Sequence, residues 1–319
     1  MDKTVLYIVI PCYNEQEVLP VTTKVLSSKM ASLIQNGEIS PDSKVMFVND
    51  GSKDSTWQII KDLHAQNTLF TGISLSRNRG HQNALLAGLM TAKDRADAVI
   101  SMDADMQDDI NVIDKFIDAY HNGKDVVYGV RSSRQSDTFF KRNTALTFYR
   151  LMNWLGAETI YNHADYRLMS KRALQGLEEF KEVNLFLRGL VPMVGYASAT
   201  VEYERGEREA GQSKYPLQKM VAFAIDGITS LSIKPITLIT KLGLIIFLLS
   251  FVALIWVLVV KLTGHALDGW SSILVSIWML GGLQLLAIGV IGEYIGKIYK
   301  ETKQRPRYII SEDLEKTDN

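Results

Sequence analysis

The N-terminal part of the chain alternates short apolar runs with longer amphipathic stretches. The apolar runs are Val5–Ile10, Val45–Val48, Gly72–Leu75, Ala98–Met102 and Val126–Gly129. Runs of this kind are typical of strands that are buried on both faces of a parallel sheet. The stretches between them predict helices over Glu17–Met30, Ser55–His64 and Asn83–Ala92. The alternation indicates a mainly parallel, doubly wound α/β domain.

Polar side chains follow each of the five predicted strands. In chain order, these residues include Tyr13, Glu15, Asp50, Arg77, Asp103, Asp105 and Arg131. The carboxyl ends of parallel strands lie at one edge of a sheet, and ligands bind in open α/β sheets beyond that edge. Each of these residues by itself is also typical of a turn or a helix cap. Because all five strands end in this way, we expect one binding site.

The fourth strand ends in the acidic sequence DADMQDD. In an extended chain, residues two positions apart point the same way, so Asp103 and Asp105 can reach one cation, with Gln107 and Asp108 close behind. Oxygen ligands suit Mg²⁺ or Mn²⁺, which shares its remaining positions with water or substrate phosphate. An isolated Asp-x-Asp pair could equally be a solvated acidic turn.

Composition narrows the function classes. The chain has 319 residues, 47% of them hydrophobic, and its 35 basic and 35 acidic residues balance, which argues against a nucleic-acid-binding protein. Cys12 is the one cysteine, so no internal disulfide and no cysteine-based zinc site is expected. No secretory signal is expected ahead of Val5, which places the catalytic part in the cytoplasm.

Four motifs, with their order and spacing, resemble the inverting nucleotide-sugar glycosyltransferases of family 2. They are PCYNE (Pro11–Glu15), VNDGSKDST (Val48–Thr56), SRNRGHQNALLAGL (Ser76–Leu89) and DADMQDD (Asp103–Asp109). Within that family the chain is most similar to the polyprenyl-phosphate glycosyltransferases. The resemblance implies a GT-A fold, which is Rossmann-like, and a metal held by Asp103, Asp105 and Gln107. It also implies a donor nucleotide site formed by Pro11, Tyr13, Glu15, Asp50, Arg77, Asp103 and Ala104.

The resemblance implies that the acceptor half of the site comes later in the chain. Asp165 is the candidate catalytic carboxylate, together with Asp105 at the metal. The candidate acceptor and diphosphate ligands are Arg131, Arg142, Arg167, Arg208, Ser213 and Lys214; the last three lie in the pattern REAGQSKY, which is expected to form a substrate-covering loop. A lipid phosphate is already largely ionised near neutral pH, with a second pKa of about 6. Asp165 is therefore a general base or an orienting group, and the sequence leaves both open.

The C-terminal part changes character. Leu217–Ile233 predicts an amphipathic helix at a membrane interface. Leu242–Val260 and Gly269–Gly292 are uncharged runs that predict two transmembrane helices; a buried hairpin in a soluble protein is the alternative. Basic residues after the second run place both termini in the cytoplasm. The expected domains are a GT-A domain (1–215), an interfacial helix (216–236), a transmembrane hairpin (237–296) and a basic tail (297–319).

These features predict an enzyme of the cytoplasmic membrane that transfers a sugar, from UDP-glucose or another UDP-hexose, to undecaprenyl phosphate. The product would serve cell-envelope glycan modification. The resemblance also implies a homo-oligomer such as a tetramer, and the product implies a flippase and a downstream glycosyltransferase. The alternatives are a GDP-mannose-using synthase, a non-enzymatic membrane subunit, or a processive polysaccharide synthase. The Gln-x-x-Arg-Trp motif expected of the last is absent.

Overall fold

The computed structural model of the chain describes residues 3–132, 163–204, 206, 228–230, 232–263 and 270–316. Its strands are β1 (Leu6–Cys12), β2 (Lys44–Asn49), β3 (Phe70–Leu75), β4 (Ala98–Ser101), β5 (Val126–Arg131), β6 (His163–Ser170), β7 (Ser198–Tyr203) and β8 (Ile310–Asp313). Within the described residues they form one sheet in the order β7-β5-β6-β4-β1-β2-β3-β8. Only β6 and β8 in this sheet run against the common direction. The predicted mainly parallel α/β domain is confirmed.

Helices cover both faces of the sheet. They are α1 (Leu19–Gln35), α2 (Thr56–Gln66), α3 (His81–Lys93), α4 (Val112–His121), α5 (Lys171–Glu178) and α6 (Leu187–Met193). Side chains alternate across a strand, so Ile8 of β1 contributes to the core beneath α1, α2 and α4, whereas Val9 contributes to the core beneath α3, α5 and α6. Every residue of β1 is buried, as expected of a strand with helices on both faces.

The order of the strands brings an antiparallel strand into the middle of the sheet. β5 does not pair with β4; β6 lies between them, with Ala98 opposite Ser170 and Ser101 opposite Arg167. Because β6 runs against β4, it begins at the edge where β4 ends. The first residues of β6 therefore lie beside the acidic sequence that follows β4.

Two long helices lie between β7 and β8 in the chain, α7 (Lys234–Leu262) and α8 (Trp270–Lys303). In the described part of the chain, one stretch, Met279–Lys303, is long and apolar enough to cross a membrane on length and composition, and almost none of it is buried. The two-span hairpin stays a prediction. Residues 297–303, assigned above to a basic tail, continue α8, and β8 then pairs with β3. Most of the predicted interfacial helix lies outside the described residues.

Candidate active site

The loops after β1 and β2 are joined by hydrogen bonds at the carboxyl edge of the sheet. The Asn14 N–H donates to Ser52 Oγ at 3.0 Å, and the Glu15 N–H donates to Thr56 Oγ1 at 2.9 Å. Asn14 has a φ of +53°, a conformation that asparagine tolerates better than most residues. Tyr13 is left 38% exposed, while Pro11 is buried at the end of β1. Tyr13 and Glu15 thus stand at the edge where the sequence placed the nucleotide.

Asp50 joins the end of β2 to the loop after β3. Its carboxylate accepts hydrogen bonds from the Arg79 N–H at 2.6 Å and the Gly80 N–H at 2.9 Å. Burial raises the pKa of Asp50 above its ordinary value, although both bonds favour the charged form. Gly51 has a φ of +63°, and a Cβ there would lie 2.5 Å from the backbone nitrogen of Asn78. Only glycine fits this close approach of two loops.

The acidic sequence after β4 presents oxygen atoms at the same edge. The Asp103 side chain is 36% exposed, Asp105 is half-buried, and Asp105 Oδ1 accepts the Gln107 N–H at 3.3 Å. The backbone carbonyl of the buried Ala104 accepts a hydrogen bond from the Thr22 hydroxyl at 2.8 Å. The described residues contain no group of three or more His, Cys, Asp or Glu arranged to hold a metal ion. Carboxylate and amide oxygens, as on Asp103, Asp105 and Gln107, are nevertheless the ligand types that Mg²⁺ or Mn²⁺ takes beside water and substrate oxygens.

Asp165, at the start of β6, is enclosed by cations. Its carboxylate accepts hydrogen bonds from Arg167 Nη2 at 2.7 Å and from Arg188, through Nε at 3.3 Å and Nη2 at 3.1 Å. His81 Nε2 lies 3.6 Å from Asp165 Oδ2 and 3.8 Å from Asp103 Oδ1. His81 therefore stands between Asp165 and the first acid of the Asp-x-Asp pair. We call Asp165, Arg167, Arg188 and His81 the Asp165 cluster.

The charges of this cluster support one another. Burial alone would raise the pKa of Asp165, but Arg188, His81 and Arg167 outweigh it and hold that pKa well below its ordinary range. Burial likewise opposes protonation of His81, yet the contacts with Asp165 and Asp103 raise its pKa. Asp165 is therefore an ionised carboxylate at neutral pH.

The structure gives Arg167 a different place from the acceptor role assigned above. Its side chain has no exposed surface and bonds Asp165, and its Nε and Nη1 atoms have no hydrogen-bond partner among the residues described. A guanidinium sealed from solvent cannot contact a lipid phosphate. Arg167 instead fixes the charge and orientation of Asp165.

Arg131, at the end of β5, is held beside the acidic sequence. Its Nη2 lies 3.4 Å from Asp108 Oδ1, and its Nε donates to the Tyr203 hydroxyl at 3.2 Å; the Tyr203 hydroxyl in turn bonds Asp108. Burial and the charge of Asp103 raise the pKa of Asp108 to about 6. Arg131 thus lies beside the acidic sequence, and its role as an acceptor ligand stays a prediction.

The remaining predicted ligands of the donor and acceptor are either exposed or outside the described residues. Arg77 is exposed on the loop after β3. Arg142, Arg208, Ser213 and Lys214 lie outside the described residues. Gly206, two residues before the REAGQSKY pattern, donates its N–H to the Gln107 carbonyl at 2.8 Å.

Four residues to which the sequence analysis gave no role lie at this edge: His81, Arg188, Asp108 and Tyr203. His81 was visible in the motif after the third strand, and Asp108 in the acidic sequence, so their positions gave a signal. Arg188 and Tyr203 gave none, because α6 and β7 reach the site only through the order of the strands.

The chain is similar to known glycosyltransferases. The family model described as glycosyl transferase family 2 matches residues 7–177, more than half of the chain. The chain is 57% identical to the uncharacterized glycosyltransferase YkoT of Bacillus subtilis, over 98% of this chain and 93% of that protein. It is 41% identical to the bactoprenol glucosyl transferase of Shigella phage SfV, over 97% of this chain and 99% of that protein. The solved structure of Mycobacterium tuberculosis glucosyl-3-phosphoglycerate synthase with Mn²⁺, UDP-glucose and phosphoglyceric acid matches with a TM-score of 0.44 and 15% identity, over 72% of this chain and 78% of that chain.

Proposed function

This chain belongs to glycosyltransferase family 2 and is a glycosyltransferase, and from that premise we propose that it transfers a hexose from a nucleotide sugar to polyprenyl phosphate. UDP-glucose, or another UDP-hexose, is the donor we propose. One observation carries the proposal: an ionised Asp165, held by two arginines, shares the carboxyl edge of the sheet with the Asp-x-Asp pair. A donor diphosphate and an acceptor can therefore meet at that edge.

The donor half is formed by the ends of β1, β2 and β4. Tyr13 is exposed enough to stack on the base, and Glu15 and Asp50, which follow β1 and β2, are the proposed ligands of the rest of the nucleotide. Asp103, Asp105 and Gln107 would hold a Mg²⁺ or Mn²⁺ ion, which would neutralise charge on the leaving nucleoside diphosphate. Arg77 lies on the exposed loop after β3, and we propose that it binds the diphosphate from the solvent side of the site.

The acceptor half uses the charge of Asp165. An oxygen of the lipid phosphate attacks the anomeric carbon, the bond from that carbon to the diphosphate breaks, and the configuration inverts. The phosphate needs no base to become nucleophilic, since its second pKa is about 6. Because the pKa of Asp165 is held low, Asp165 stays charged and orients the acceptor with its neighbours. Arg131, Arg142, Arg208, Ser213 and Lys214 are the proposed ligands of the phosphate and diphosphate oxygens.

The lipid acceptor accounts for the C-terminal helices. α8 contains a long apolar stretch whose side chains are mostly exposed. Leu285, Leu286 and Ile288, for example, are each at least 60% exposed. Surface of that kind is covered by lipid when such a helix crosses a bilayer. We propose that α7 and α8 form the two-span anchor in the cytoplasmic membrane and that the catalytic domain and both termini are cytoplasmic. The relative named bactoprenol glucosyl transferase supports the same acceptor.

A transfer assay tests the proposal. Purified full-length protein in lipid is given undecaprenyl phosphate, Mg²⁺ or Mn²⁺ and radiolabelled UDP-glucose, UDP-galactose, UDP-N-acetylglucosamine or GDP-mannose. We expect a lipid-linked product with one UDP-hexose and none after chelation of the metal. GDP-mannose as the sole donor used would show a mannose synthase. Absence of lipid-linked product with every donor would overturn the proposal.

A matched pair of variants sharpens the assay. Asp105→Ala removes a proposed metal ligand and is expected to lower the rate at least about 100-fold. Asp109→Ala removes a carboxylate from the same acidic sequence; Asp109 Oδ1 accepts the Asn111 N–H at 2.9 Å and stabilises its own turn. We expect its rate within about threefold of wild type. Full activity in Asp105→Ala would contradict the assigned metal site.

A further inference from the structure

The segment 180–188 connects helix α8 to the active site. Near its first end, both oxygens of the Glu301 carboxylate accept backbone hydrogen bonds: Oε2 from the Val183 N–H at 2.8 Å and Oε1 from the Asn184 N–H at 2.7 Å. Glu301 lies in the last turn of α8. A carboxylate that accepts two consecutive N–H groups holds that backbone in one orientation, and such charge-assisted bonds are the strong ones. Glu301 therefore clamps the segment to the end of α8.

Neighbouring contacts reinforce this clamp from two other parts of the chain. Asn184 Nδ2 donates to Ser230 Oγ at 2.8 Å, and Lys297 Nζ, one turn before Glu301, reaches the same oxygen at 3.1 Å. Arg307, just beyond α8, donates from Nη1 to the Phe180 carbonyl at 3.0 Å. The segment is thus fixed near the C-terminal end of α8 on both sides of Val183, through Phe180 and through Asn184.

The other end of the segment reaches the catalytic centre. The Leu187 N–H donates to Gln82 Oε1 at 2.9 Å, at the start of α3, and Arg188 bonds both oxygens of Asp165. Asn184 and Arg188 are four residues apart, so the chain between them spans at most about 14 Å. A displacement of Asn184 is therefore expected to displace Arg188 as well, because the short chain between them limits how far the two can move apart.

We propose that Glu301 is a positioning residue: by clamping the segment 180–188 to α8, it sets the position of Arg188 against Asp165, and so couples the place of α8 in the bilayer to the active site. The proposal rests on the transferase activity proposed above. It does not require Glu301 to touch substrate, because its two oxygens are already taken by Val183 and Asn184. Its effect acts through Arg188.

The kinetic test compares two glutamates of the same helix in full-length protein in lipid. Glu301→Gln keeps one acceptor oxygen but turns an N–H donor toward a backbone N–H. We expect kcat to fall roughly tenfold, with the KM for the nucleotide sugar within about twofold, because the weakened clamp no longer holds Arg188 against Asp165. The control, Glu293→Gln, removes an exposed carboxylate two turns earlier on α8 and is expected to leave both constants unchanged. Wild-type kcat in Glu301→Gln overturns the inference.

A double-mutant cycle separates positioning from a general loss of stability. If Glu301 acts through Arg188, Glu301→Gln lowers kcat by less than about twofold once Arg188→Lys is present. If Glu301 only stabilises the fold, its effect is the same in both backgrounds, and that outcome overturns the inference.

Hydrogen–deuterium exchange gives a readout that needs no turnover. We expect Glu301→Gln to speed exchange in peptides that cover residues 183–193 and leave those covering β1 unchanged. Unchanged exchange at 183–193 overturns the inference even if the enzyme is active. Absence of lipid-linked product in wild type overturns the proposed acceptor alone, because the exchange result still decides the role of Glu301.

Discussion

Two clusters of carboxylates and cations lie at different places in the same sheet, and they are built differently. The Arg95 cluster, made of Arg95, Lys44, Asp313 and Glu315, joins β8 and the two residues after it to the rest of the domain. Arg95 Nη2 lies 2.5 Å from Asp313 Oδ2, Arg95 Nη1 lies 2.6 Å from Glu315 Oε2, and Lys44 bonds Glu315. Two positive charges meet two negative charges. Each group of this cluster is satisfied.

The Asp165 cluster is not balanced in this way. Two arginines and His81 surround one carboxylate, the buried Arg167 has two nitrogen atoms without a partner among the described residues, and Asp103 stands close by with an exposed side chain. Incomplete pairing of buried polar groups is rare in folded proteins and concentrates at functional sites. The comparison teaches that the Arg95 cluster pairs all its charges and holds β8 to the domain, whereas the Asp165 cluster leaves positive charge unbalanced beside the exposed Asp103.

The largest expected effect is on activity at the Asp165 cluster. Asp165→Asn keeps the shape but removes the charge, so the acceptor loses its orienting group; we expect the transfer rate to fall at least about 100-fold. The thermal unfolding temperature should fall as well, because Arg167 loses its charged partner. Asp125→Asn is the control: Asp125 bonds Arg172 at 2.7 Å near the other end of β6, and its side chain is as buried as that of Asp165. A rate within tenfold of wild type in Asp165→Asn would refute the comparison.

The next effect is on stability at the Arg95 cluster. Arg95→Ala leaves two partly buried carboxylates short of a partner, and we expect the free energy of unfolding to fall by about 2 kcal/mol. This is below the value for a fully buried pair, because the Arg95 side chain is 20% exposed. The transfer rate at low temperature should stay within about twofold of wild type. Chemical denaturation in detergent, read beside the transfer assay, checks both values; a large loss of activity with unchanged stability would reverse the roles assigned to the two clusters.

The smallest effect is expected at an exposed ion pair that joins α2 to β8. Lys61 Nζ lies 2.7 Å from Glu312 Oε1, and these side chains are 37% and 44% exposed. The bond from Lys61, with that from Trp57, lowers the pKa of Glu312, so this stabilisation is present above the ordinary pKa of a glutamate and is lost as pH falls through the lowered value. Lys61→Ala should change the free energy of unfolding by less than about 0.5 kcal/mol, and less still at high salt. If Lys61→Ala lowered the free energy of unfolding as much as Arg95→Ala, solvent exposure would not be what makes the contributions of the two ion pairs differ.

Much of the donor half could be predicted from local sequence. Asp50 follows directly on β2, and Asp103 and Asp105 come within four residues of the end of β4. Parallel strands bring their carboxyl ends to one edge whatever their order. The helix ends were predicted less well: α1 extends to Gln35 and α3 begins at His81. Those ends depend on tertiary contacts, such as the bonds from Arg79 and Gly80 to Asp50, which no local pattern contains.

The acceptor half could be predicted only in part. Asp165 was assigned from a resemblance, but its neighbours depend on β6 running antiparallel beside β4, which places Asp165 beyond Ser101 and near Asp103. Arg167 was assigned to a ligand and proved to be enclosed, because inward and outward positions on β6 depend on the register with β4 and β5. Arg188 reaches Asp165 from a short helix with no sequence signal.

The sequence by itself determined the alternation of strands and helices, the acids at the strand ends and the apolar C-terminal runs, because each of these depends on residues that are close in the chain. Only the tertiary structure decided which charges meet: His81 between Asp165 and Asp103, Arg188 on Asp165, and Glu301 on the segment that carries Arg188. The physical reason is that electrostatic contacts depend on distances of a few ångströms between residues far apart in the chain. Those distances are set by strand order and register, and by how β6 and α6 pack, not by local pattern.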